Sequence, residues 1–205
     1  MPATDALCLT DAVRMKEQLI NILRPHVARI ASAGSIRRNE AVVGDIELVA
    51  EPTMVPLPQL RNLFDTEPPS YISALDRFAA ALPAKGDLIL DPVLKRNGPR
   101  YKRLLYLQTI AVDLFIVQPP AQWGALLAIR TGDRDFSHLL VTKRSQGGAM
   151  PDELTQREGA LWHGTRLIQT PSEEEYFTAL GLPEWPPSQR SGERLRAWLR
   201  STVAR

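Results

Sequence analysis

The most informative part of the chain reads GSIRRNEAVVGDIELV, from Gly34 to Val49. A Gly-Ser turn follows a helical pattern, and a polar loop with two arginines comes next. A strand then starts at Gly44 and carries two acids one residue apart. Side chains of a strand alternate between its two faces, so Asp45 and Glu47 project to the same face. Two neighbouring carboxylates repel each other, and folding alone does not require such a pair.

This acid pair has two interpretations. Acids at alternate strand positions are often only the solvated face of a sheet. A divalent cation between Asp45 and Glu47 would instead remove their repulsion, and carboxylate oxygens suit Mg²⁺ or Mn²⁺. The turn at Gly34 and Ser35 favours the cation, since its backbone N–H groups and hydroxyl can bind phosphate at the same end of the sheet. Together they predict a nucleoside triphosphate bound through its metal.

The composition is ordinary for a globular protein. The 205 residues are 44% hydrophobic and 23% charged, with a net charge of +2, and they suffice for one large domain or two small ones. The single cysteine, Cys8, excludes an internal disulfide and a cysteine-rich zinc site. No apolar run approaches the roughly 18 residues of a membrane span, and no secretory signal is evident. We expect a cytoplasmic monomer; a nuclear location and a phage or viral origin stay open.

Hydrophobic periodicity predicts helices and strands without strict alternation, which favours an α+β architecture. A helix over 11–32, capped by Thr10 or Asp11, precedes the Gly-Ser turn. Alternatively, Pro25 breaks it into two helices, or into a helix and a strand over 27–33. Further helices are predicted over 70–81, 122–130, 136–143, 171–180 and 191–203, strands over 42–50, 88–90, 101–107 and 109–117, a proline-rich loop over 52–70, and a strand end at 119–120.

Asp113 lies inside the otherwise apolar strand predicted over 109–117. A carboxylate buried without a partner would cost several kcal/mol. One interpretation is an acid at a strand end that accepts backbone hydrogen bonds. We favour the other, in which Asp113 is a third metal ligand beside Asp45 and Glu47.

The order of these motifs resembles that of the family X DNA polymerases. Residues 34–47 look like the Gly-Ser…Gly-Asp-x-Asp signature of nucleotidyltransferases, with the paired arginines of family X. Residues 112–114 are similar to the strand that carries the third carboxylate. Residues 123–132 resemble the nucleotide-pocket helix and turn, and 171–190 resemble the C-terminal tail, which is the part most specific to family X. The resemblance covers the palm and thumb subdomains, from about residue 31 to residue 190.

The resemblance implies a palm with a mixed sheet flanked by helices over 1–145, followed by a small C-terminal α/β thumb over 146–205. It implies metal-dependent transfer of a deoxynucleotide from dNTP to the 3′-hydroxyl of a DNA primer, with release of pyrophosphate, in gap repair. The implied catalytic and metal-binding residues are Asp45, Glu47 and Asp113, with Mg²⁺ or Mn²⁺ as the cofactor. The implied nucleotide-binding residues are Gly34, Ser35, Arg37, Gly44, Thr131 and Gly132.

Several positions depart from the family pattern. Glu47 stands where the family has aspartate, and its extra methylene moves the carboxylate by about an ångström, enough to reshape a magnesium site. Ala111 and Phe115 replace the arginines that flank the third acid, and Ile129-Arg130 replaces a tyrosine–phenylalanine pair.

DNA is expected at two basic clusters, over 95–103 and 130–144, where cations would neutralise phosphates. From these clusters we expect Lys102, Arg103, Arg134 and Lys143 to contact DNA. Two alternatives stay open. One is nucleotide transfer to RNA, protein or a small molecule, and the other is a non-catalytic binder of nucleic acid or nucleotide.

Overall fold

The computed structural model of the chain describes residues 6–57, 70–117 and 122–203. Its helices and strands, in chain order, are β1 (Leu7–Cys8), α1 (Leu9–Leu23), β2 (Val27–Ser32), α2 (Gly34–Arg37), β3 (Val42–Val43), β4 (Ile46–Pro52), β5 (Met54–Pro56), β6 (Tyr71–Ser73), α3 (Ala74–Ala81), β7 (Leu88–Leu90), β8 (Tyr101–Tyr106), β9 (Ile110–Ile116), α4 (Trp123–Thr131), α5 (Arg134–Val141), β10 (Leu154–Arg157), β11 (Ala160–His163), β12 (Arg166–Ile168), α6 (Glu173–Leu180) and α7 (Gly192–Val203). Much of the loop expected over 52–70, and the strand end expected at 119–120, lie outside the described residues. Within the described ranges, no helix is both long enough and apolar enough to cross a membrane.

The first helix ends at Leu23 and does not continue to residue 32. Pro25 lacks an N–H group and has a fixed φ, so the helix stops and a short 3₁₀ turn leads into β2. The alternative of a helix followed by a strand is therefore confirmed. The expected caps, Thr10 and Asp11, are wrong, because the residue before the helix is Cys8 and it makes no side-chain capping hydrogen bond.

Five strands form a central mixed sheet in the order β2-β4-β9-β8-β7. Strands β4 and β9 run parallel, and the other neighbours are antiparallel. The predicted pairing of the strands over 101–107 and 109–117 is confirmed as the β8–β9 hairpin. A mixed sheet flanked by helices also confirms the α+β class.

The two faces of this sheet pack against different helices. On one face, alternate residues such as Ile46 and Leu48 are fully buried against α1 and α3. On the other face, Val49 and Phe115 pack against Trp123 of α4. Burying an apolar side chain of this size stabilises the fold by roughly 1.5–3 kcal/mol. The second face is therefore the one that meets the C-terminal half of the chain.

The C-terminal half has a hydrophobic core of its own, formed by α4 to α7 and the antiparallel sheet β10-β11-β12. Ser172 and Glu175 form a capping box at the start of α6, and Gly181 ends that helix with φ +67°, as the sequence predicts. Helices α4 and α5 lie before residue 146 yet pack in this core. The boundary at 145/146 stays a prediction, but the hydrophobic cores divide nearer residue 123.

Helices α4 and α6 approach each other most closely at Gly124. Its N–H donates a hydrogen bond to the Thr170 carbonyl oxygen over 2.7 Å. A Cβ on Gly124 would lie 1.8 Å from the Ser172 carbonyl oxygen, and backbone cannot move aside as a flexible side chain can. The contact between α4 and the residues directly before α6 therefore requires glycine at position 124.

We predict that Gly124→Ala destabilises the protein by about 1–3 kcal/mol or more, because the added methyl group forces α4 and α6 apart. Urea denaturation followed by circular dichroism measures the change. Gly44→Ala is the matched control, since nothing lies within 4 Å of a Cβ at Gly44 and its φ is not positive. Equal stability of the two variants would contradict this account of the contact.

Candidate active site

Three charged residues form one row across the central sheet. In the parallel pairing of β4 with β9, Glu47 lies opposite Asp113. In the antiparallel pairing of β9 with β8, Asp113 lies opposite Arg103. Asp45 comes directly before β4 and adds a third acid near the same end of the sheet. The structure thus brings the three predicted acids together and adds an arginine that the sequence analysis assigned to DNA.

The three carboxyl groups share one electrostatic environment. Burial raises the pKa of Glu47 to about 7, and the charges of Asp45 and Asp113 add to the shift. Burial also raises the pKa of Asp45, with a further contribution from Asp113, while Arg103 acts in the opposite direction. The acids therefore repel one another in a partly buried place, as the sequence predicts for a site that needs a cation.

Arg103 supplies part of the missing positive charge. Its Nη1 donates a hydrogen bond to Asp113 Oδ1 and lies 3.6 Å from Asp45 Oδ2. The Tyr101 hydroxyl donates to the same Asp113 oxygen over 2.6 Å. Burial disfavours the arginine charge, but the hydrogen bond and the charge of Asp113 outweigh it and raise the pKa of Arg103.

The donor set suits a hard divalent ion, because it consists of carboxylate oxygens that lack sufficient counter-charge. Across the described residues, however, no group of three or more His, Cys, Asp or Glu side chains is arranged to hold a metal ion. Arg103 Nη1 contacts an oxygen of Asp45 and an oxygen of Asp113 instead. The chemistry of the residues fits Mg²⁺ or Mn²⁺, while the arginine takes a position between two of the ligands.

A cleft of about 410 Å³ opens beside Asp113, between the sheet and the β10-β11 hairpin. The stacked rings of Tyr101 and Phe115, with centroids 5.3 Å apart, line it. Its cationic lining residues are Arg96, Arg100 and Arg130. A larger cavity of about 870 Å³ lies between α7 and residues 144–148, but it shares no residue with the acid row. The cleft next to the acids is therefore the candidate binding site.

Arg130 was missed as a site residue. Its guanidinium stacks on Phe115 with Cζ 3.9 Å from the ring centroid, and its charge partly offsets the raised pKa of Glu47. The sequence places Arg130 in the basic cluster over 130–144, and both residues depart from the family pattern. In the structure, Arg130 on α4 provides positive charge beside the acid row. Phe115, which stands where the family pattern has an arginine, is uncharged.

The Gly-Ser turn lies against the acids as expected. Gly34 has φ +59°, and a Cβ there would lie 1.7 Å from Glu47 Oε2, so glycine is required on both counts. Ser35 follows at the start of α2 and is half-buried. Gly44 is exposed, and nothing lies within 4 Å of a Cβ there, so packing does not require glycine at that position.

Arg37 does not extend toward the acids. Its Nη1 and Nη2 donate to the two carboxylate oxygens of Glu173 over 2.8 and 2.6 Å, and Nη1 also donates to Thr131 Oγ1 over 2.7 Å. Arg190, almost fully buried, forms a second ion pair with Glu173. The Arg37 guanidinium therefore joins the Gly-Ser turn to the C-terminal core, and its expected contact with a triphosphate stays a prediction.

The turn at Thr131 and Gly132, which the resemblance assigns to nucleotide binding, makes close contacts within the protein. Thr131 is fully buried, and its hydroxyl donates to the Leu127 carbonyl oxygen over 2.6 Å, so this side chain is enclosed by the protein. A Cβ on Gly132 would lie 2.2 Å from the Phe136 ring. The carbonyl oxygens of Thr131 and Gly132 both accept from Arg38 Nη1 over 3.0 Å. The turn is held to the Gly-Ser segment by two neighbouring arginines.

Lys102 is not available to DNA. Only 2% of the residue is exposed, and its Nζ lies 2.6 Å from Asp76 Oδ1. Strand alternation explains this, because Lys102 points to the face opposite Arg103 and packs toward α3. The expectation for Lys102 is therefore wrong.

Two further DNA-contacting candidates are also engaged. Arg103 lies on the acids, as described above, and Lys143 donates from Nζ to the carbonyl oxygens of Asp152 and Leu154. Arg134 is exposed at the start of α5 and remains a candidate. Arg96 and Arg100, from the expected cluster over 95–103, line the cleft instead.

The architecture matches solved polymerase structures. Two structures of Leishmania infantum polymerase beta, a ternary P/T complex and a ternary gap complex, superpose on the chain with a TM-score of 0.63 and 17% sequence identity. The matches cover 92% and 91% of this chain, and 77% and 71% of the respective polymerase chains. The chain has a polymerase beta-like fold. No family model matches the sequence, and no curated protein sequence matches it either.

The pairing of Glu173 with Arg37 and Arg190 predicts a stability change. Burial opposes ionisation of Glu173, but hydrogen bonds from the two arginines outweigh it and hold its pKa below the usual value. We predict that Glu173→Gln costs about 3–5 kcal/mol at pH 7, because it leaves two partly or fully buried guanidinium groups without their carboxylate. Urea denaturation measures the loss, and Glu174→Gln, at an exposed neighbouring position, is the control.

The same pair predicts the pH dependence. A depressed pKa in the folded state contributes stability above the unfolded-state pKa of about 4.3, and this contribution is lost as pH falls through the folded-state pKa. The difference in unfolding free energy between wild type and Glu173→Gln should therefore shrink below about pH 4. A constant difference from pH 7 to pH 3 would show that the carboxylate charge is not what joins the two halves.

Proposed function

We propose that the chain is a metal-dependent nucleotidyltransferase of the family X type, which adds deoxynucleotides to the 3′-hydroxyl of a DNA primer. The observation that carries the proposal is the row of Glu47, Asp113 and Arg103, with Asp45 beside it, at the mouth of an arginine-lined cleft. The polymerase beta-like fold supports it, because the two solved structures that share this fold are ternary complexes of a polymerase beta.

Each part of the site has a role in the proposed reaction. Asp45, Glu47 and Asp113 would hold Mg²⁺ or Mn²⁺. The ion, when bound, supplies the positive charge that acidifies the primer hydroxyl and neutralises the triphosphate. Ser35 and the backbone N–H groups of its turn would donate hydrogen bonds to phosphate oxygens at the adjacent position.

Five other arginines near the site divide into two groups. Arg96, Arg100 and Arg130 line the open cleft, where they would neutralise the phosphates of the primer. Arg37 and Arg38 instead hold the Gly-Ser turn against α4 and α6, and so fix the position of this turn relative to the cleft. Gapped DNA and a dNTP are the proposed partners. The ternary gap complex of the Leishmania polymerase supports the choice of DNA. We propose that the protein acts in gap repair as a cytoplasmic monomer.

Transfer to an acceptor other than primed DNA is the second candidate. It is favoured by the finding that Lys102, Arg103 and Lys143 are all engaged inside the protein, which leaves fewer cations for a duplex. Labelled nucleotides offered with RNA, protein or small-molecule acceptors would detect this activity. Incorporation that depends on the templating base would exclude it.

Primer extension on a gapped duplex, with labelled dNTP and either Mg²⁺ or Mn²⁺, tests the leading proposal. We predict that Asp113→Asn lowers the extension rate by about 100-fold or more, because it removes one of the three carboxylate charges that would hold the metal ion. Asp87→Asn is the matched control, since that acid is exposed and lies outside the row. Extension by Asp113→Asn at the wild-type rate, or no extension by wild type, would end the polymerase proposal.

A further inference from the structure

The position of Arg103 is not used by the proposed reaction. A nucleotidyltransferase needs a free set of carboxylates, yet this chain places a cation of its own on two of them. We propose that Arg103 sets the affinity of the site for divalent metal, because its guanidinium lies between Asp45 and Asp113 and must leave before an ion can be held there. The inference rests on the proposed function for its metal, but it can be tested without catalysis.

The contacts show competition for the same oxygens. Arg103 Nη1 bonds to Asp113 Oδ1 and lies 3.6 Å from Asp45 Oδ2, so one nitrogen contacts an oxygen from each acid. The opposing position of Arg103 and Asp113 in the β8–β9 register holds the arginine backbone in place. Displacement therefore has to come from rotation of the side chain, and this is possible for a long side chain that is 19% exposed.

The structure also contains an alternative acceptor for the displaced arginine. Asp91, on the other side of the guanidinium, has Oδ2 at 3.8 Å from Arg103 Nε. Its Oδ1 accepts the N–H groups of Val93 and Leu94, so the carboxylate is held in a fixed orientation. A small rotation would move the guanidinium from Asp113 toward Asp91 and keep its charge paired.

A purely structural role explains these contacts less well. Most buried polar groups in folded proteins have a hydrogen-bond partner. Arg103 Nε is instead buried without a hydrogen-bond partner, at a distance from Asp91 that is too long for a hydrogen bond. The side chain gives up this bond in order to reach the acids, which is consistent with a second, better-bonded position.

Binding of Mn²⁺ to the full-length protein tests the inference, measured by electron paramagnetic resonance of free Mn²⁺ at fixed ionic strength. We expect Arg103→Ala to bind Mn²⁺ about tenfold or more tightly than wild type, because a unit charge is removed from the ion position. Arg103→Lys should remain near wild type, since it keeps the charge. Arg77→Ala, on the exposed side of α3, changes net charge equally and should leave the affinity unchanged.

Thermal denaturation in EDTA gives a second readout. Arg103→Ala should lower the melting temperature, because the acids lose their counter-charge, and Mn²⁺ should restore it. If Arg103→Ala does not fold, Arg103→Gln, which keeps a hydrogen-bond donor without the charge, decides the outcome instead.

Two results overturn the inference and differ in what they mean for the proposed function. If Asp113→Asn weakens Mn²⁺ binding but the uncharged Arg103 variant binds as wild type does, Arg103 does not compete and the proposed function stands. If Asp113→Asn leaves Mn²⁺ binding unchanged, or if neither wild type nor any variant binds Mn²⁺, the acid row is not a metal site and both proposals fail.

Discussion

Repulsion between carboxylates in one row of a sheet is the constraint on which the rest of this structure depends. The parallel register of β4 and β9 places Glu47 opposite Asp113, and like charges at opposed positions destabilise a sheet. The chain retains this arrangement because apolar side chains on the other face, such as Ile46 and Leu114, are buried and fix the register. The energy of the hydrophobic face thus holds together a charged row that would not assemble by itself.

A second charged group joins the two halves of the molecule. Glu173, at the start of α6, lies between Arg37 from the Gly-Ser turn and Arg190 near the C-terminus. Removing one member of such a buried group leaves uncompensated charge, so the group behaves as a unit. The phosphate-binding turn proposed at Gly34 and Ser35 is consequently positioned by the C-terminal half, and not only by the sheet from which it emerges.

Local patterns in the sequence were sufficient for α3 to α7, for β4, β7, β8 and β9, and for the shared position of the three acids. Period-two alternation placed Asp45 and Glu47 on one face, and the charge of Asp113 inside an apolar strand marked it as a partner. The same alternation, applied to β8, would have shown that Lys102 faces away from Arg103. The orientation of Lys102 therefore follows from the sequence alone, and it contradicts the expected contact with DNA.

The other errors required information that no local pattern contains. Arg37 and Glu173 are 136 positions apart, and their pairing follows from the packing of α6 on α4. The opposition of Arg103 and Asp113 depends on the hairpin register, in which the turn at 107–109 sets every pair. Arg103 was therefore expected to contact DNA, although the register of the β8–β9 hairpin supplies its acidic partner.

Glu47 and Gly34 explain each other at the centre of the site. The longer side chain of glutamate brings Oε2 so close to Gly34 that no Cβ fits there, and the turn has the positive φ that favours glycine. An aspartate at position 47 would be one methylene shorter and would leave that space unfilled. The departure from the family pattern is thus matched by its surroundings, with the acid packed against the turn and Arg130 near it to offset its charge. This fit gives a structural reason for the longer acid at position 47, because its carboxylate fills the space beside Gly34.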